Sequence, residues 1–176
     1  MNKILLVDIN GTITKTLDGS PFTLDTEPTA IELIPGVTEA LDRYVALGFA
    51  IIGVSNQGGI EAGFRSHASV QSEMQHTMLL APQISEILYC PDFKGLECWS
   101  VTPFQWAECH NSDLAGAYRK PNPGMLQWAM PDAPYFAVMV GDRDEDRQAA
   151  AAIDVIFLDA AAWREGAIAT PEAVIL

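Results

Sequence analysis

The chain has 176 residues, 49% of them apolar, which fits one domain with a substantial core. Its formal net charge of −13 repels polyanions at long range and argues against tight, salt-driven nucleic-acid binding, though not against a local basic cleft. No apolar run approaches the roughly 18–20 residues that span a bilayer, and no secretory leader is evident, so a cytoplasmic protein away from membranes is expected.

The first predicted element is the most informative. Lys3-Ile4-Leu5-Leu6-Val7 reads as a buried strand that stops on Asp8, and Ile9-Asn10-Gly11-Thr12 follows. Such a strand delivers a carboxylate to the carboxyl edge of a sheet, where open α/β folds keep their ligands. Between residues 13 and 24, Leu17-Asp18-Gly19-Ser20-Pro21 is a turn signal with Thr-rich arms, predicting a hairpin flap over that strand. A helix is expected over Thr38–Leu47, between Pro35-Gly36 and Gly48.

The second strand, Phe49–Val54, ends in Ser55-Asn56-Gln57-Gly58-Gly59. A long helix over Ile60–Leu80 and a third strand over Ile84–Tyr89 come next. Residues 90–118 form a long loop with Phe93, Trp99, Phe104, Trp106 and all three cysteines. Loops of that length are functional or braced. Arg119-Lys120-Pro121-Asn122 leads into a short helix, Pro123–Ala129. A strand over Tyr135–Val140 delivers Gly141-Asp142-Arg143-Asp144-Glu145-Asp146, then come a helix over Asp144–Ala152 and a strand over Val155–Leu158. The alternation predicts an α/β fold: one Rossmann-like, three-layer domain over 1–176 with a parallel sheet, a flap and no large cap domain.

In a parallel sheet these strand ends share one edge. A nucleophile (Asp8), small donors, an ammonium (Lys120) and an acidic cluster then converge, as phosphoryl transfer requires. Ser55 and Asn56 are good helix caps, and the same geometry binds phosphate oxygens. Gly58-Gly59 either lets backbone approach a ligand or turns the chain. Lys120 is stiffened by the flanking prolines and could neutralise phosphoryl charge. Asp142 directly follows the apolar strand and is the acid expected to reach the site. An oxygen-rich cluster of this kind suits Mg²⁺.

Four pieces in order, Asp8-Ile9-Asn10-Gly11-Thr12, Ser55, Lys120 and Gly141-Asp142 with Asp146, resemble the haloacid dehalogenase superfamily of aspartate-nucleophile phosphatases. Ser55-Asn56-Gln57, Arg119-Lys120-Pro121 with Gly124-Met125-Leu126, and Asp142–Asp146 with Gln148-Ala149-Ala150 resemble heptose-bisphosphate and histidinol-phosphate phosphatases. Tyr118-Arg119-Lys120-Pro121 and the flap also resemble the 3′-phosphatase domain of polynucleotide kinases. The resemblance implies a capless, Mg²⁺-dependent phosphomonoesterase working through an aspartyl-phosphate. Asp8 would be nucleophile and metal ligand. The Asn10 carbonyl and Asp142 would also hold metal. Gly11, Thr12, Ser55, Asn56 and Lys120 would bind the phosphoryl group, and Asp146 would support metal or lysine. The implied substrate is a small phosphorylated metabolite or a phosphorylated nucleic-acid end.

Position 10 departs from the family pattern. There the family has an acid that protonates the leaving oxygen; an amide cannot. The chain is then an engineered variant, a slow phosphatase or phosphate-binding protein, or it takes its proton from His110 or Glu108. The zinc loop of related metabolite phosphatases is also not carried over, since Asp92 replaces its histidine and Gly116-Ala117-Tyr118 precedes Arg119. A Cys90–Cys98–Cys109–His110 set would need ligands at adjacent positions, poor for a tetrahedron. Zinc is not expected, and the cysteines are read as small buried hydrophobes.

Overall fold

The computed structural model describes residues 2–131 and 135–170. In chain order the elements are β1 (Asn2–Val7), β2 (Thr14–Thr16), β3 (Ile31–Leu33), α1 (Val37–Ala46), β4 (Ala50–Asn56), α2 (His67–Leu80) and β5 (Glu86–Cys90). They continue with β6 (Trp99–Val101), β7 (Trp106–Glu108), α3 (Gly124–Ala129), β8 (Tyr135–Gly141), α4 (Asp144–Ala151), β9 (Ile156–Asp159) and α5 (Ala160–Arg164).

The sheet runs β7-β6-β5-β4-β1-β8-β9. The five strands β5, β4, β1, β8 and β9 are parallel, while β6 and β7 add antiparallel at the β5 edge. β1 shows why its sequence is apolar throughout. Side chains of a strand alternate between faces, and this strand is covered on both. Leu5 and Val7 pack with Leu41 and Tyr44 of α1, Val70 and Met74 of α2, and Trp163 of α5. Ile4 and Leu6 pack with Met125 and Leu126 of α3 and Ala149 and Ala150 of α4. The result is the expected three-layer sandwich.

β1 pairs with β4 on one side and β8 on the other. The connection from β1 leads outward to β4 and β5, while β8 and β9 lie on the opposite flank. The carboxyl ends of β1, β4 and β8 therefore border the crevice of a topological switch point.

Three features differ from the sequence expectation. The flap's returning arm is β3, whose Ile31 and Leu33 pair with Thr16 and Thr14, so the hairpin closes a longer loop than residues 13–24. α2 begins at His67 rather than Ile60, because Gly63 takes φ +75° and Ser66 then caps the helix by accepting from Ser69 N at 3.1 Å. The long loop contains the β6–β7 hairpin, with Cys90, Cys98 and Cys109 buried in the second core layer. Its aromatics form no core of their own: Phe93, Phe104 and Trp106 are exposed, and Trp99 packs against the first core layer.

Candidate active site

β1 ends one residue before Asp8, whose N–H still donates to the Val140 carbonyl of β8 at 2.9 Å. The chain then folds over itself: the Ile9 carbonyl accepts from Ile13 N at 2.9 Å and Thr14 N at 3.0 Å. Gly11 takes φ +94° in this turn, and a Cβ there would collide with the Asp142 carboxylate. Glycine is thus required for its conformation and because it lets the β8 end approach the β1 end. From the far side of the fold, Arg164 of α5 donates to the Thr12 carbonyl at 2.9 Å and braces the turn.

Lys120 is the centre of one cluster. Its ammonium donates to Asp8 Oδ1 at 2.7 Å, Asp146 Oδ1 at 2.6 Å and the Val54 carbonyl at 2.9 Å, using all three protons. The residue is only 3% exposed. Asn56, expected to bind phosphate, has a second task here. Its side chain donates to the Lys120 carbonyl at 2.8 Å and accepts from Lys120 N–H at 3.0 Å, clamping that backbone to the end of β4. Asp146 also accepts from Arg143 N at 3.2 Å, and Gly141 has no Cβ to obstruct that carboxylate.

The electrostatics are unbalanced. Carboxylate oxygens of Asp8, Asp142 and Asp146 all lie within 4.8 Å of one another, beside one ammonium. Burial pushes the Asp8 carboxyl up to about 6; Lys120 opposes that shift, while Asp146 and Asp142 add to it. Burial alone would lower Lys120, but Asp8 and Asp146 outweigh it and hold the ammonium above its usual value. Surplus negative charge in a hard-oxygen cluster is what a small divalent cation relieves, so the donors present fit Mg²⁺.

Asn10 belongs to a second cluster. Its Nδ2 donates to Glu73 Oε1 at 2.7 Å, and its Oδ1 accepts from Gln57 Nε2 at 2.8 Å and from Ser55 Oγ at 3.4 Å. Glu73, fully buried on α2, also accepts from Arg65 at 2.6 Å and Thr23 at 2.7 Å. Sequence reasoning missed Glu73, Arg65 and Thr23. The available signal was an acid on the apolar stripe of α2, one turn from Val70 and Thr77.

A cavity of about 50 Å³ is lined by Asp8, Asn10, Ser55, Asn56, Lys120, Arg143, Glu145 and Asp146. A second, of about 140 Å³, shares Asn10, Asn56 and Arg143 with it and is walled by Phe22 of the flap and Phe64. Those two rings stack with centroids 6.2 Å apart. A wider groove of about 790 Å³ lies elsewhere, against Trp128, Met130 and Val155, and contains none of these groups.

One of the alternatives for the missing acid fails. Glu108 and His110 cannot reach Asn10: β7 stands four strand positions from β1, on the order of 19 Å at ~4.8 Å per strand, and His110 is exposed. That exposure also takes His110 out of a buried set with Cys90, Cys98 and Cys109, and the sole group of three or more metal-ligating side chains among the described residues is the aspartate trio.

Residues 3–157 match the family described as polynucleotide kinase 3 phosphatase. The chain belongs to this family and is a haloacid dehalogenase-type phosphatase. It is 30% identical over 163 residues to the D-glycero-beta-D-manno-heptose-1,7-bisphosphate 7-phosphatase of Haemophilus influenzae, covering 85% of this chain and 76% of that one. The protein of the same description from Escherichia coli K12 is 35% identical over 135 residues, covering 70% and 63%. A solved HAD-like phosphatase from Mesorhizobium loti superposes with a TM-score of 0.62 at 26% identity, over 84% of this phosphatase and 66% of that chain. The D,D-heptose 1,7-bisphosphate phosphatase of B. bronchiseptica, solved with magnesium and phosphate, shares the fold with a TM-score of 0.60 at 22% identity, over 89% and 78%. No helix among the described residues is long and apolar enough to cross a membrane.

Proposed function

We propose that this phosphatase is a Mg²⁺-dependent phosphomonoesterase that works through an aspartyl-phosphate at Asp8, with turnover weakened by Asn10. The observation that carries the reading is the meeting of Asp8, Asp142 and Asp146 beside the Lys120 ammonium. Asp8 Oδ1 is held by Lys120, and Oδ2 has only a long bond from Thr12 at 3.3 Å, which makes Oδ2 the freer nucleophile. Lys120 keeps the Asp8 carboxylate oriented and supplies positive charge next to the transferring group. Ser55 is the neighbouring donor for phosphoryl oxygens, whereas the Gly11 and Thr12 N–H groups, expected to share that role, donate within the turn to the Thr14 carbonyl at 2.8 Å and the Ile9 carbonyl at 3.3 Å. Asp8, Asp142 and the Asn10 carbonyl would hold Mg²⁺, with Asp146 behind them. When bound, the ion would neutralise phosphoryl charge. Asn10 cannot protonate a leaving oxygen, a loss worth about 10²–10⁴-fold in rate.

The substrate is a small phosphorylated metabolite in this reading, supported by the heptose-phosphatase relatives. A nucleic-acid 3′ end is the second reading, supported by the family match and opposed at long range by the charge of −13. A panel of sugar phosphates, amino-alcohol phosphates and a 3′-phosphorylated oligonucleotide, assayed with Mg²⁺ on the native chain and on Asn10→Asp, separates them. Turnover of the sugar phosphates, raised in Asn10→Asp, is expected. Equal turnover by both forms overturns the role given to Asn10; preference for the oligonucleotide favours the second reading. Phosphate binding without turnover in either form makes the chain a phosphate-binding protein.

A further inference from the structure

The surroundings of the amide at position 10 are built for an amide. Glu73 receives N–H or O–H donors from Asn10, Arg65 and Thr23 and fixes the Asn10 amino group toward itself. The opposite end of the amide meets donors, Gln57 Nε2 at 2.8 Å and Ser55 Oγ at 3.4 Å. A carboxylate at position 10 would put an oxygen 2.7 Å from a Glu73 carboxylate oxygen, where the amide now places a donor. Arg65 and Glu73 form a fully desolvated ion pair at 2.6 Å that holds this arrangement in place. The second N–H of Asn10 has no protein acceptor among the described residues, and the residue lines the small cavity beside Asp8.

We infer that the native substrates are phosphoryl donors whose leaving group departs as an anion without being protonated: acyl phosphates and phosphoanhydrides rather than alkyl phosphate esters. This rests on the aspartyl-phosphate reading above and narrows its substrate class: the alkyl sugar phosphates are then slow substrates of the same site. Two features of the geometry point to it. Asn10 can donate a hydrogen bond to a departing oxygen but cannot transfer a proton to it. Arg143 lines both the 50 Å³ cavity around Asp8 and the 140 Å³ cavity beside it, so a group leaving the first passes a cationic residue shared by the two. A carboxylate or phosphate anion is the leaving group such a residue favours.

The chemistry balances without an acid. An Asp8 carboxylate oxygen attacks phosphorus, and the phosphorus–oxygen bond to the leaving group breaks with its electron pair going to that oxygen, which departs as a carboxylate or phosphate anion. Water then attacks the phosphoaspartate. Its oxygen bonds to phosphorus, one proton passes to a phosphoryl oxygen, and the bond to Asp8 breaks to regenerate the carboxylate and release dihydrogen phosphate.

The test compares kcat/KM with Mg²⁺ for acetyl phosphate, pyrophosphate, a series of ring-substituted phenyl phosphates and glycerol 2-phosphate. The native protein is expected to favour acetyl phosphate over glycerol 2-phosphate by at least ~10²-fold, with phenyl phosphates ordered by the acidity of their phenols. In Asn10→Asp, which places a carboxyl beside the leaving oxygen, that ratio is expected to shrink by about tenfold or more. The native slope is decisive even if the variant does not fold. Comparable kcat/KM for alkyl and acyl donors in the native protein overturns the inference and leaves the phosphatase reading intact. So does a slope that is shallow in the native protein and steepens in Glu145→Gln, since another acid then protonates the leaving oxygen. No turnover of any donor, acetyl phosphate included, overturns both.

Discussion

Two buried polar clusters sit a few ångströms apart at the rim of this sheet, and they are built on opposite principles. The Asp8–Lys120–Asp146 cluster, with Asp142 at its edge, sets three carboxylates against one ammonium. The Asn10–Glu73–Arg65 cluster sets one carboxylate against one guanidinium and completes itself with neutral donors from Thr23 and Gln57 and with the Ser69 hydroxyl, which accepts from Arg65. The first is electrostatically incomplete and gains from a cation or a proton. The second is balanced in charge, and only Arg65 Nε and one N–H of Asn10 lack a protein acceptor among the described residues. Completeness is thus what separates a site from the scaffold that aims it: a closed network rigidifies its members, whereas an open one stores unfavourable charge until something binds.

The closed cluster should break with the larger effect. Glu73→Ala leaves Arg65 buried without its partner, and losing one member of a desolvated pair costs about 3–5 kcal/mol. Urea denaturation should show that loss, while Glu73→Gln, which keeps an oxygen toward Arg65 and Thr23, should lose less. Equal stability of native and Glu73→Ala protein would mean the network is not closed as described.

The open cluster should respond in the opposite direction. Asp8 holds its proton up to about pH 6 in the fold against 3.8 as its ordinary value, so the folded protein binds more protons between these values. Stability therefore falls as pH rises from about 4 to 6, and above about 6 the whole deficit is present. Asp8→Asn removes it. In EDTA the variant should be more stable than the native protein at about pH 7.5, by on the order of 2 kcal/mol, with the gain fading toward pH 3–4. A gain that grew toward acid pH would show that Asp8 is stabilised, not penalised, as a carboxylate. The same variant should have no phosphatase turnover.

The smallest expected effect sharpens the boundary between the clusters. Asn56→Ala removes both hydrogen bonds that clamp the Lys120 backbone, at 2.8 and 3.0 Å, and should cost about 1–3 kcal/mol. Its kcat should fall with KM nearly unchanged if the clamp positions Lys120. A rise in KM alone would instead assign the Asn56 side chain to phosphate binding.

Most of the open cluster was legible in the sequence. Asp8, Ser55 and Asp142 each follow an apolar run, and parallel strands carry their carboxyl ends to one rim, so strand ends far apart in sequence had to meet. Lys120 follows no strand directly; its place after the long loop and its flanking prolines pointed to it, and the Arg119-Lys120-Pro121 resemblance added its role. Of the closed cluster only Asn10 stood out in the sequence; Glu73, Arg65 and Thr23 did not. Glu73 lies on a helix whose register against β1 depends on where α2 begins, and Gly63 and Ser66 shift that start to residue 67. The β6–β7 hairpin was missed because each strand has only three residues, too few for alternation to show.

By itself the sequence determined the layered α/β architecture and the meeting of Asp8, Ser55 and Asp142 at one rim, because both follow from local apolar patterning and from the shared direction of parallel strands. Only the tertiary structure decided what Asn10 means. An amide in place of an acid reads as a defect along the chain, but its function depends on what faces it, and a carboxylate 63 residues away, brought in by helix packing, makes the amide the group that fits.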